Sequence, residues 1–464
     1  MNLGLSRNWL SLFLLAPVLA VASPDLPSRS VERGGDLSKS RARSINAREA
    51  FARTQAVLQH FGVPDEPDSQ PLLDDLNGLQ TTAGIAERIP FLDLSGGFQN
   101  FSFWDAAWNV LSVFRDRASK QVSDFKIRLA ENAQFTDLKA RLLDASMNPE
   151  DRPLAGLRIA LDPGHMGGPV WDRRTEKYIE GPDGKIISEG LINLQTALLL
   201  ESELVKLGAT VFLTRRTLAP VTSIEYETFP LRDYALQEFR KRSLEDWFVD
   251  LLTIAPPGPK LYNAFAAHHQ VKAIFSESMR SQYFILNADL TARKDLIRNF
   301  APDITLVIHF DTMARDFATN GTKAYVPGAF TPAEFATRED RRYFARHLLN
   351  PTAWDASIQL SQSVVNEISR KLDIPFDRFG GSPNVKRVAP GVFARNLNLS
   401  RRITDSTTCY AECFFYNDPA EFRALTKTTH PLIIDGQNHP YSDRLLQVVG
   451  ALKTGIVSFV RSFR

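Results

Sequence analysis

The sequence predicts an α/β fold: a three-layer sandwich with a central, mostly parallel sheet flanked by helices, plus an N-terminal helical accessory region. Three observations predict it. First, the apolar run 158–161 stops at Asp162-Pro163-Gly164, the pattern of a buried strand that ends in a turn. Second, a helical pattern opened by Glu189 and carried by Leu191, Leu194, Ala197, Leu198 and Leu204 ends at Lys206-Leu207-Gly208, and a strand-like run follows at 209–215. Third, further strand-like runs at 304–309, 322–326 and 408–416 alternate with helical patterns, the order expected of a sheet covered on both faces.

The N-terminus carries one arginine, Arg7, then an apolar run, then Ala20-Val21-Ala22. That is the tripartite form of a secretory signal over 1–22, so export to the periplasm or the cell exterior is expected. No later stretch is apolar and long enough to span a bilayer. Residues 23–46 form a disordered lead rich in Ser, Arg, Pro and Gly. Cys409 and Cys413 are the two cysteines. On a strand they would stand about 13 Å apart, too far for a disulfide, so buried free thiols are expected.

From 47 to 147 the apolar residues fall at helical spacing, with Trp104, Trp108, Leu111, Phe114, Val122, Phe125 and Leu129 prominent, predicting a helical accessory domain. The stripe Trp104, Trp108 and Phe114 suits a core better than a ligand face. A Pro-rich stretch at 148–153 reads as a linker, and 154–464 as the main domain. Connections in such domains rarely exceed one helix plus about 2 to 6 residues, so the long segment 219–300 is an insertion. Helix 356–371, a short strand 392–395 and an amphipathic C-terminal helix through Leu445, Val448, Leu452, Ile456 and Val460 complete the chain. The net charge of +2 is spread along it, with no basic stripe of the kind that binds nucleic acid.

Chemistry gathers at the ends of these elements. His165, Glu189 and His309 each adjoin an apolar run that would bring them to the carboxyl edge of the sheet. Two imidazoles and a carboxylate, with a fourth position open, suit a catalytic zinc ion, one per chain; magnesium and calcium prefer oxygen donors. Glu176 and Glu180 are rivals for Glu189. Glu412 lies in the apolar strand Cys409-Tyr410-Ala411-Glu412-Cys413, where a carboxylate is costly unless paired, metal-bound or used with a raised pKa. It is a candidate general base, or else an ion-pair partner of Arg395. Arg395 is also a candidate for a substrate carboxylate. His268 and His269 suit a solvated loop better than a metal.

Taken together, these residues resemble the zinc-dependent N-acetylmuramoyl-L-alanine amidases of the amidase_3 family. The resemblance rests on Asp162-Pro163-Gly164-His165, Glu189 with Asn193-Leu194, residues 211–215, Asp303 six positions before His309, and Glu412 followed by Phe414, Phe415 and Asn417. It implies zinc on His165, Glu189 and His309, Glu412 as the catalytic glutamate, and hydrolysis of the amide between N-acetylmuramic acid and L-alanine in peptidoglycan. It also implies a possible protein activator acting on the insertion 219–300. Three departures stand out: Met166 interrupts the usual His-Gly-Gly, His165 and Glu189 are 24 positions apart, and Asp311 replaces an Asn. They motivate an alternative, a catalytically silent amidase-fold protein that binds or regulates at the cell wall.

Overall fold

A computed structural model describes residues 85–94, 101–105, 110–114, 123–128, 136–230, 277–312, 320–331 and 338–464. The expected signal segment, the lead, the middle of the insertion and His268 and His269 lie outside the described residues.

Helix α1 (Ile85–Leu92) opens the described chain, followed by β1 (Ser102–Asp105), β2 (Val110–Phe114) and β3 (Ser123–Arg128), joined in that order as an antiparallel sheet. Strands here replace the expected helix. Leu111 and Val113 are two positions apart and both pack toward Phe330, Phe344 and Trp354. A stretch whose apolar residues fit both periods is decided by what it packs on. Trp104 falls in β1, and Trp108 lies outside the described residues. Helix α2 (Thr136–Ser146) packs into the main core through Leu138, Leu142 and Ala145, although the expected boundary falls after it. The Arg461 and Arg464 guanidinium groups donate to the Ser146 carbonyl at 2.5 and 2.6 Å and tie this helix to the C-terminus.

The main domain begins with β4 (Arg158–Pro163). Helix α3 (Pro169–Thr175) and a hairpin of β5 (Tyr178–Glu180) and β6 (Ile186–Ser188) then fill the long interval before α4 (Glu189–Lys206). Next come β7 (Thr210–Leu213), α5 (Glu277–Tyr283), a π-helical turn (Phe284–Asp289) and α6 (Leu290–Phe300). They are followed by β8 (Ile304–Asp311), β9 (Lys323–Pro327), α7 (Arg338–Leu349) and α8 (Pro351–Leu372). The chain closes with β10 (Lys386–Ala389), β11 (Val392–Arg395), α9 (Asn398–Arg402), β12 (Thr407–Phe415), α10 (Pro419–Leu425), four short strands over 428–442, and α11 (Asp443–Arg461).

Seven strands form one sheet in the order β10-β11-β9-β12-β8-β4-β7. The β9/β12 and β10/β11 pairs are antiparallel and the other four pairs parallel, so the sheet is mixed with a parallel centre. Side-chain alternation sends Leu161, Leu306, Ile308, Cys409, Ala411 and Cys413 to one face, in a core shared with α2, α4, α8 and α11. The two cysteines are buried free thiols, and burial pushes Cys409 up to about 12. On the opposite face Ala160 and Val307 pack with Ile297 of α6 and with Leu399 and Ile403 at α9. Helix α6 is therefore the crossover helix between β7 and β8, and the inserted part of 219–300 ends before it.

Candidate metal and catalytic site

Strand order explains why distant residues meet. Neighbouring strands β4 and β8 run parallel and deliver His165, just past β4, and His309, near the end of β8, to the same edge of the sheet. Glu189 is the first residue of α4, where Ser188 caps the helix by accepting a hydrogen bond from the Leu191 amide at 3.3 Å. The three side chains converge, with candidate ligand atoms all within 4.8 Å of one another. Glu189 Oε1 lies 3.3 Å from His165 Nε2 and 2.9 Å from His309 Nδ1, and the imidazole rings meet edge to face at 4.7 Å. Glu176 and Glu180 are exposed and lie outside this cluster.

Local backbone chemistry makes the convergence possible. A Cβ on Gly164 would lie 2.0 Å from His309 Nε2, and one on Gly190 would lie 1.9 Å from the Met166 carbonyl oxygen. Glycine at these two positions lets the His165 loop close against the strand that carries His309 and the helix that opens with Glu189. His165 itself is left-handed, at φ 56°. Met166 is buried. Around the loop, Asn193 donates to the Gly164 carbonyl at 3.0 Å, while Arg215 donates to the Pro163, Gly164 and Gly190 carbonyls at 3.0, 3.0 and 2.6 Å.

Burial pushes His165 down to about 4, with Glu189 working the other way, so its ring is neutral at neutral pH. For Glu189 burial alone would raise the carboxyl, but His165 and His309 hold it well below the ordinary carboxylate range. The set offers two imidazoles, that of His165 held neutral, and one anionic carboxylate oxygen, a donor chemistry that fits zinc.

Glu412 is the direct cross-strand neighbour of His309 in the parallel β8/β12 pair, so the two side chains share a face about 4.8 Å apart in strand spacing. Pairing slips between Glu412 and Phe415, an extra residue placed beside the site as bulges commonly are. Burial raises the Glu412 carboxyl well above its ordinary range, and the Asp311 and Glu189 carboxylates add to the shift. Its Oε2 is buried without a hydrogen-bond partner. No ion pair joins it to Arg395 among the described residues. Arg395 instead lies 4.9 Å over the Tyr325 ring, on a strand that runs away from the edge holding His165 and His309.

Two lysines that the sequence pattern does not mark lie near this site. Lys323 is the antiparallel neighbour of Glu412 and is buried, its Nζ 2.7 Å from Asp311 and 2.6 Å from Asp377. Asp311, where the resembled family has an Asn, thus answers a buried cation. A lysine inside an apolar strand is rare unless paired, and that was the available signal. Lys177, whose carbonyl accepts from the Glu189 amide at 2.9 Å, acts electrostatically on His165, Glu189 and Glu412. Tyr410 stacks on the His309 ring at 4.4 Å and fixes its plane.

Comparison with known proteins gives one family match: residues 259–433 match the Amidase_3 family, described as N-acetylmuramoyl-L-alanine amidase. That span holds His309 and Glu412; His165 and Glu189 precede it. No curated protein matches. Among solved structures, the CwlD amidase of Clostridioides difficile, in complex with the GerS lipoprotein, is 16% identical at TM-score 0.38, covering 66% of this chain and all of its own. Ami1 of Mycobacterium smegmatis is 13% identical at TM-score 0.37, covering 67% of this chain and 99% of its own. AmiC2 of Nostoc punctiforme is 13% identical at TM-score 0.34, covering 66% of this chain and 99% of its own.

Proposed function

The chain resembles the Amidase_3 N-acetylmuramoyl-L-alanine amidases through residues 259–433, and on that premise we propose that it is an exported, zinc-dependent amidase of peptidoglycan. It hydrolyses the amide that joins the lactyl group of N-acetylmuramic acid to L-alanine of the stem peptide. The observation that carries this is the cluster of half-buried His165 with buried Glu189 and His309, and Glu412 in register beside His309.

When bound by these three side chains, zinc supplies a fixed positive charge that polarises the amide carbonyl and makes water more acidic. The remaining work falls to the protein. His165 stays neutral and Glu189 stays charged, so neither of these two donors needs deprotonation at neutral pH. Glu412 takes the proton from the attacking water and delivers it to the leaving nitrogen of L-alanine, a role suited to a carboxyl that burial makes more basic than usual. The buried Lys323 holds Asp311 away from that proton path by pairing with it. Arg395 contributes a positive charge to a carboxylate in the distal part of the stem peptide. A protein activator acting on the insertion 219–300 is part of the same proposal.

The test is a digest of purified muropeptides by the zinc-loaded protein and by Glu412→Gln. Stem peptides released with a free L-alanine amino group by the wild type alone support the reading. Release at equal rates by Glu412→Gln removes Glu412 from the chemistry.

A further inference from the structure

The site depends on His165 holding a left-handed backbone, and one side chain outside the ligand set grips that backbone. Arg293, on α6, is completely buried. Its guanidinium donates to the His165 carbonyl at 3.0 Å, to the Pro163 carbonyl at 2.7 Å and to Asp162 Oδ1 at 3.1 Å. Its Nε donates to Asp289 Oδ2 at 2.7 Å. Asp289 is itself buried, and its other oxygen accepts from the Val221 amide at 2.5 Å. Val221 lies at the start of the segment 219–300 and Asp289 near its end.

The geometry of the helix favours this arrangement. Asp289 is the last residue of the π-helical turn that leads into α6, and Arg293 follows it by one helical turn. A wider turn re-phases the side chains that follow it, and such turns occur often at functional sites. Here it brings the carboxylate between the Val221 amide at the start of the inserted segment and the guanidinium. Burial alone would weaken the Arg293 charge, but Asp289 and Asp162 hold it. The aromatic residues Trp171, Tyr226 and Phe284 pack edge to face and face to face at 5.3 to 5.5 Å and join both ends of the segment to α3. The two ends are thus fixed to each other and to the loop between His165 and Glu189.

We propose that Arg293 is a positioning residue for His165, and that the Val221–Asp289–Arg293 chain of hydrogen bonds couples the ends of the inserted segment to the first metal ligand. The inference rests on His165 being a ligand, so its test must separate the grip on the backbone from metal binding. A planar guanidinium can meet four acceptors in fixed directions; a lysine ammonium at that place cannot meet the same four. Groups that orient a ligand typically change metal affinity 10–100-fold when altered.

The experiment compares wild type, Arg293→Lys, Asp289→Asn and, as a control on the same helix, Ile297→Val. Two measurements are made on each: zinc affinity by competition with a chelator, and hydrogen exchange of the 164–168 amides in metal-free protein. The expected result is zinc affinity 10–100-fold weaker in Arg293→Lys, a smaller loss in Asp289→Asn, and faster loop exchange in both. Ile297→Val, which touches the core but not the loop, should leave both measurements within twofold of wild type. Unchanged loop exchange in a folded Arg293→Lys overturns the proposal, as does a loss in Ile297→Val equal to that in the other two. Should Arg293→Lys not fold, Asp289→Asn decides by the same criteria. Failure of the wild type to take up zinc would instead overturn the metal assignment, while the exchange measurement still tests the grip.

Discussion

At the scale of single residues the account turns on close approach. Gly164→Ala adds a carbon where the His309 ring stands, at 2.0 Å, so either the loop or the ring must move. Zinc affinity measured by chelator competition should fall at least about tenfold while the fold persists. Unaltered affinity would mean that the loop is not packed as described. Glu412→Gln keeps shape and removes the proton acceptor; muropeptide turnover should fall by about 10²–10⁴-fold with zinc stoichiometry unchanged. His165, Glu189, His309 and Glu412 were legible in the sequence because each stands at an element's end or breaks an apolar run. Arg293 and Lys323 were not, because their meaning comes from partners 128 and 54 positions away, His165 and Asp377. Arg395 sits on β11, which runs opposite to β8 and so ends away from the edge that gathers His165 and His309, a direction that strand propensity does not encode.

At the scale of elements, the central strands and the long helices were legible because buried parallel strands are short unbroken apolar runs and their covering helices are strongly periodic. The antiparallel insertion of β9 between β11 and β12 was not legible, since local sequence does not encode which neighbour a strand chooses. The segment 219–300 reads as one insertion, yet its last helix, α6, is crossover and core. Deleting all of 219–300 should therefore abolish soluble folding, because Arg293 and Ile297 go with it. A deletion confined to 231–276 should leave zinc stoichiometry at the wild-type value, measured by metal analysis; loss of zinc there would show that the site draws on the removed segment. Packing of α8 on α11 makes a separate prediction. Gly455 lets the helices touch, a Cβ there lying 2.7 Å from Val364 Cα. Gly455→Ala should cost about 1–3 kcal/mol by overpacking, read from denaturant unfolding.

At the scale of the whole molecule, acid stability follows from buried histidines. His347 is buried, donates to the Arg401 carbonyl at 2.8 Å and is pushed by burial down to about 4. Between pH 6.5 and about 4 the unfolded chain binds the proton and the folded one does not, so stability is present above 6.5 and is lost as pH falls through that window. The shift corresponds to about 3 kcal/mol for this one residue. Asp172, raised by burial to about 6, has the opposite sign, its contribution complete below about 4 and lost as pH rises through 6. Urea unfolding at pH 7 and pH 4 should show a larger loss for wild type than for His347→Gln, and equal losses would remove His347 from the balance. In the metal-free protein His165 adds to the same acid limb.

The whole arrangement, a parallel-centred sheet that brings two histidines and two glutamates from four separate elements to one edge, has one chemical consequence above all. Mass spectrometry of muropeptides incubated with the zinc-loaded protein reads it directly. The account predicts stem peptides with a free L-alanine amino terminus beside glycan strands of unchanged length. Muropeptides recovered intact, from protein shown to carry one zinc per chain, would contradict it.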